Sequence, residues 1–121
     1  MKKADIGLIG LAVMGENLAL NMESKGFTVA VYNRSFPGEE GVVDRFVNGR
    51  GKGKNFIPAH SIEELVEAVK RPRVIMMMIK AGAPVDEMIE QLLPHMSPGD
   101  VIIDGGNSDE GSGGKRSLFC R

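Results

Sequence analysis

Two short stretches hold the residues whose types and spacing could do chemistry. The first is GLAVMG, Gly10 to Gly15, which has the outline of a G-x-G-x-x-G loop with Ala12 in the middle glycine's place. A glycine at position 10 permits a tight turn at the end of a strand, and one at position 15 lets the following helix pack closely on that strand. Between them the free backbone amides of a helix start, with the helix dipole, form a site suited to a pyrophosphate. The methyl group of Ala12 shifts such a ligand outward slightly without abolishing the site. The alternative is a strand-to-helix turn that binds nothing.

The second stretch is Asn33-Arg34-Ser35. An acidic residue about 20 positions beyond a dinucleotide fingerprint reads the ribose hydroxyls of NAD. Here an asparagine precedes an arginine, whose planar guanidinium can grip a phosphate in bidentate fashion and stack on adenine. Ser35 adds a hydroxyl donor. This chemistry points to NADP, against the alternative of a solvated turn arginine. Glu39 and Glu40 would oppose a phosphate, so their loop is expected to point away.

The elements that must position these residues are legible as an alternation. Asp5 to Ile9 is a short apolar run ending at Gly10, as in a strand buried on both faces. Val13 to about Lys25 carries Met14, Leu18 and Met22 at four-residue intervals, a helix stripe closed by Gly26. Phe27 to Tyr32 reads as a strand, FPGEEG (36–41) as a loop, Val42 to Asn48 as a short helix and Phe56-Ile57 as a short strand. GRGKGKN (49–55) reads as an exposed basic loop. Ser61 and Glu64 form a capping box, the serine oxygen accepting from the Glu64 amide and the glutamate reaching back to Ser61. VIMMMI (74–79) is an apolar strand. Pro84 suits a first helical turn, followed by an apolar face of Val85, Met88, Ile89, Leu92 and Leu93. Val101 to Ile103 is a last strand, and DEGSGGKRSLFCR (109–121) has no period and reads as disordered. Apolar strands alternating with helices predict an α/β fold: a Rossmann-type, doubly wound, mainly parallel sheet with helices on both faces, incomplete at its C-terminal end.

The bulk properties set bounds. The 121 residues suffice for one domain; 42% are hydrophobic and 26% charged, as in an ordinary globular protein. The formal net charge of −1 gives no sign of a nucleic-acid or membrane-surface partner. No run approaches the roughly 18 apolar residues of a membrane span. MKKADIGLIG mimics a signal peptide, but Asp5 and Glu16 bracket the apolar run and no cleavage pattern follows. The single cysteine, Cys120, excludes an internal disulfide, and a cytoplasmic location is the default.

Other reactive residues read as bland. His60 and His95 lie far apart without a second ligand, so no metal site is expected. Met76, Met77 and Met78 read as core filler. Asp104 reads as a strand-end residue bonded to loop amides and makes no acid/base pair with Asp109. Lys80 reads as a cofactor-side or solvent residue, and Cys120 has no base nearby. GRGKGKN is not a Walker A loop, since no Ser or Thr follows a Gly-Lys, and it lacks aromatics for base stacking.

IGLIGLAVMGENLALNM, VYNRS, MIKAG with VDEMIEQLLP, and GDVIIDGGNS together resemble the N-terminal coenzyme domain of the decarboxylating, NADP-dependent 6-phosphogluconate dehydrogenases. The resemblance runs from about residue 3 to Ser108. That family also typically has alanine at the middle position of the loop. The resemblance implies that Gly10, Leu11, Ala12, Val13, Met14 and Gly15 hold the pyrophosphate, and that Asn33, Arg34 and Ser35 bind the adenosine ribose and its 2′-phosphate. It implies that Ile79, Lys80 and Ala81 line the cofactor, and that Asn107 touches both the nicotinamide side and the substrate. The implied reaction oxidises the 3-hydroxyl of 6-phosphogluconate with hydride transfer to NADP. The 3-keto acid loses carbon dioxide, and protonation of the enediol gives ribulose 5-phosphate, within the pentose phosphate pathway. A lysine base and a glutamate acid serve those proton transfers.

Two departures are visible. FPGEEG is longer than the usual connection, beside the expected 2′-phosphate site. After Ser108 the family's continuation is replaced, and Ser112-Gly113-Gly114 echoes a family substrate loop only by coincidence. The expectation is a partial domain over 1–108, an unrelated tail over 109–121, and no helical domain with its catalytic lysine, glutamate and most of the homodimer interface. Such a chain is expected to be inactive alone and to expose a sheet edge. A non-catalytic NADP-binding or regulatory module and another β-hydroxyacid dehydrogenase are the alternatives.

Overall fold

The computed structural model describes residues 3–34, 41–79, 83–105 and 116–119. The predicted alternation is present as β1 (Ile6–Ile9), α1 (Val13–Ser24), β2 (Val29–Tyr32), α2 (Val42–Asn48), β3 (Phe56–Pro58), α3 (Ile62–Ala68), β4 (Val74–Met77), α4 (Ala83–Leu92), β5 (Val101–Asp104) and β6 (Arg116–Phe119). The sheet order is β3-β2-β1-β4-β5-β6. The first five strands are parallel, and β6 runs antiparallel to β5 with Phe119 opposite Val101 and Arg116 opposite Asp104.

The chain winds from β1 outward to β3, then crosses to β4 on the other side of β1. That puts α1 and α2 on one face of the sheet and α3 and α4 on the other, because parallel crossovers keep one hand. Two cores result. Leu8, Val29 and Val31 pack with Ala19, Val43, Phe46 and Phe56 on one face. Ile9, Ile75, Met77 and Ile102 pack with Leu65, Val66, Val85, Met88 and Leu92 on the other. Successive strand residues supply opposite faces, so β1, β2 and β4, covered on both sides, carry no charged residue.

The differences from the sequence reading have local causes. Met14 is exposed, and α1 docks through Gly15 and Ala19, its small residues, which let it lie close to the sheet. Leu93 is exposed because α4 ends at Leu92 and a 3-10 turn over Leu93–His95 follows. Glu64 does accept its cap from Ser61, its amide donating to Ser61 Oγ at 3.1 Å, but its carboxylate reaches the amide of His60 at 3.0 Å rather than Ser61. In the basic loop Gly51 is buried against the Phe56 ring, and Arg50 reaches Glu16 and Asn17 of α1 at 2.7 and 2.9 Å. Within the segment read as disordered, Arg116–Phe119 pair with β5, whose outer row of amides and carbonyls otherwise offers an open template.

At the end of the sheet away from the glycine loop, Arg73 and Asp100 form a buried ion pair at 3.0 Å. Arg73 is 5% exposed and Asp100 1%. Asp100 also accepts from the amides of Arg73 at 2.7 Å and Ser97 at 2.8 Å, while Arg73 Nε donates to the Val66 carbonyl at 2.8 Å.

Candidate functional site

Four strand ends meet at one edge of the sheet. Gly10 follows β1, Asn33 and Arg34 follow β2, Met78 and Ile79 follow β4, and Gly105 follows β5. The ladders run right up to that edge, with Gly10 N donating to Tyr32 O at 2.9 Å and Met78 N to Ile9 O at 2.7 Å. This is the side of an open α/β sheet on which ligands bind, and β1, where the winding reverses, is the switch point.

The glycines at the ends of the loop are required by space. Gly10 has φ of 104°, and a Cβ there would collide with the carbonyl oxygen of Met78. A Cβ on Gly15 would collide with the Gly10 carbonyl oxygen. Helix α1 can therefore start hard against the end of β1 only with glycine at both positions.

Between them the loop divides its work. The Leu11 side chain is buried, and its amide donates to Asn33 Oδ1 at 2.8 Å. Asn33 Nδ2 in turn donates to the Arg34 carbonyl at 3.0 Å. Asn33 thus fastens the end of β2 to the glycine loop, a role its position in the sequence did not signal. Ala12 is the N-cap of α1, and no side chain caps the helix there, in contrast to Ser61 on α3. The first-turn amides of α1 have no acceptor within the helix. Val13 and Met14 stand exposed at 73% and 64% on the same turn. An uncapped, exposed helix start beside a φ-positive glycine fits an anion supplied from outside, so the residues present suit a dinucleotide's pyrophosphate.

Arg34 is partly exposed and lies 3.5 Å from the Glu87 carboxylate of α4. That contact, between residues far apart in the chain, had no sequence signal. Ile79 is partly buried at the end of β4. Ser35, Lys80, Ala81 and Asn107 lie outside the described residues, as do most of FPGEEG, Ser112 to Gly114 and Cys120.

Beside Asn33 a small cavity of about 70 Å³ is lined by Val42, Val43, Asp44, Ala59 and His60. His60 lies 2.8 Å from Asp44 of α2 and 3.5 Å from Glu64 of α3. Its hydrogen bond to Asp44 is the chief reason its pKa is raised, desolvation opposes this, and the charges of Asp44 and Glu64 add to it. A raised histidine pKa stabilises the fold fully below the unfolded value of 6.5, and that contribution is lost as pH climbs through the folded value. We expect the urea midpoint to fall slightly across that window, and the slope to shrink in Asp44→Asn, where Glu64 alone still raises the His60 pKa. An unchanged slope in that variant would remove Asp44 as the cause. Among the described residues no cluster of His, Cys, Asp and Glu could hold a metal ion, and no helix is long and apolar enough to cross a membrane.

Residues 5–117 match the family model of the NAD binding domain of 6-phosphogluconate dehydrogenase, past the expected limit at Ser108. A decarboxylating 6-phosphogluconate dehydrogenase of Dictyostelium discoideum is 63% identical over 106 residues, covering 88% of this chain and 21% of the relative. One of Caenorhabditis elegans is 53% identical over 117 residues, covering 97% of this chain and 23% of the relative. Among solved structures, the 6-phosphogluconate dehydrogenase of Plasmodium falciparum superposes with a TM-score of 0.70 at 47% identity, over 86% of this chain and 22% of that one. That enzyme was solved in its apo form, with its cofactor NADP+ and with its substrate 6-phosphogluconate. The chain thus spans about a fifth of the length of these relatives. With its glycine loop, switch point and strand-end arginine, the chain belongs to the family of NAD-binding domains of 6-phosphogluconate dehydrogenase.

Proposed function

We propose that the chain is the coenzyme-binding part of an NADP-dependent, decarboxylating 6-phosphogluconate dehydrogenase. One observation carries the choice of coenzyme. Arg34 leaves the end of β2 where a carboxylate would otherwise meet the ribose of NAD, and Asn33 beside it is fastened to the glycine loop. In this reading the first-turn amides of α1 hold the pyrophosphate. Arg34, with Asn33 and Ser35, holds the adenosine ribose and its 2′-phosphate. Ile79, Lys80 and Ala81 line the dinucleotide, and Asn107 faces the nicotinamide and the substrate.

Bound nicotinamide supplies the hydride acceptor for oxidation of the sugar acid. The chain's own part is to hold and orient the coenzyme, and its lasting contribution to rate is positional. The proton transfers to and from the substrate, its decarboxylation to ribulose 5-phosphate, and a homodimeric assembly in the cytoplasm belong to the same reading, supported by membership of the family.

Calorimetric titration of the purified chain with NADP and with NAD tests it. NADP is expected to bind at least tenfold more tightly, which corresponds to about 1.4 kcal/mol. Equal affinity, or a preference for NAD, would refute the assignment.

A further inference from the structure

We infer that Glu87 is a counter-ion that competes with the 2′-phosphate of the coenzyme for Arg34, and so limits how tightly NADP is held. The inference rests on the proposed role of Arg34. Strands β2 and β4 flank β1 in the sheet, and α4 follows β4. The contact between Arg34 and Glu87 therefore reaches from the end of β2 to α4, across the strand ends at the switch point. A dinucleotide laid along that edge with its 2′-phosphate on Arg34 meets the Glu87 carboxylate there as well.

The charges decide the direction. The two side chains approach to 3.5 Å, and Glu87 is 58% exposed against 28% for Arg34. The arginine is the anchored member and the glutamate the movable one. A phosphate monoester carries close to two negative charges at pH 7. Placed on the same guanidinium it repels a carboxylate at that range, and the carboxylate must rotate away into solvent or share the fork. NAD carries no charge at that position, so Glu87 is silent toward it. Without coenzyme, Glu87 occupies the guanidinium in the phosphate's place. With it, Glu87 favours release of the phosphorylated dinucleotide and leaves the unphosphorylated one untouched.

The test is titration of the wild-type chain, Glu87→Gln, Glu87→Asp and Arg34→Ala with NADP and NAD, at low and high salt. Glu87 is an exposed helix residue and glutamine keeps its shape, so the fold is retained; circular dichroism checks this. Exposed ion pairs are weak, so Glu87→Gln is expected to tighten NADP by roughly two- to fivefold at low salt, with NAD unchanged. Salt should shrink the gain. Glu87→Asp, with its carboxylate withdrawn by one methylene, should fall between. If Glu87→Gln leaves NADP affinity unchanged or weakens it while Arg34→Ala still loses NADP selectively, Glu87 is no competitor and the role of Arg34 stands. If Arg34→Ala affects both coenzymes alike, the role of Arg34 fails and the competition fails with it.

Discussion

Asp100→Ala is expected to cost about 3–5 kcal/mol of folding stability, the range for removing one member of a buried ion pair. Asp100 is 1% exposed, and its two carboxylate oxygens take the Arg73 guanidinium and the amides of Arg73 and Ser97. Alanine leaves all three donors without their acceptor, and Arg73 stays a buried charge held only by the Val66 carbonyl among the described contacts. A domain of this size has roughly 5–15 kcal/mol in total, so the variant should lose a large share of its stability. Urea unfolding measures it, and a loss below about 1 kcal/mol would show that the pair is dispensable.

The same group predicts the acid limb of stability. Burial alone would raise the Asp100 pKa. The amides of Ser97 and Arg73 and the Arg73 guanidinium outweigh that and lower it below the ordinary 3.8. A lowered carboxylate pKa contributes stability that is present above 3.8 and lost as pH falls through the folded value. Replacing both partners by apolar residues of similar volume should recover the share due to the stranded guanidinium, whose desolvation cost disappears with the charges, but not the share due to the backbone amides at positions 73 and 97.

Arg34→Ala is expected to weaken NADP binding roughly ten- to hundredfold while leaving NAD within about twofold, because hydrogen bonds to charged groups contribute about 1.5–3 kcal/mol. The side chain is partly exposed and lies outside both hydrophobic cores, so the fold should survive. Arg34→Lys keeps the charge and loses the planar fork, and should land between. Since the second ionisation of a phosphate monoester lies near pH 6, NADP selectivity should also fall below about that pH. Equal weakening of both coenzymes by Arg34→Ala would make the arginine a structural residue.

What the sequence determined by itself was whatever is encoded at short range. The apolar strands, the helices between them, Ser61 capping Glu64 and Gly26 closing α1 depend on neighbours within a turn or on alternation along one strand. Gly10 and Gly15 were legible for the same reason, since a strand, a tight turn and a helix start are contiguous. Their necessity, though, comes from the Met78 and Gly10 carbonyls, of which only the second is local. Tertiary structure alone decided the rest. Asn33 meeting Leu11, Arg50 meeting Glu16, Arg73 meeting Asp100 and Arg34 meeting Glu87 are pairings across different strands and helices. No spacing rule links such residues; they meet because the sheet order β3-β2-β1-β4-β5-β6 sets their elements side by side. The exposure of Met14 and the pairing of Arg116–Phe119 follow the same rule. Periodicity marks which residues are apolar, but the close approach of α1 through Gly15 and Ala19, and the open ladder of β5, decide which of them are covered and which segment pairs.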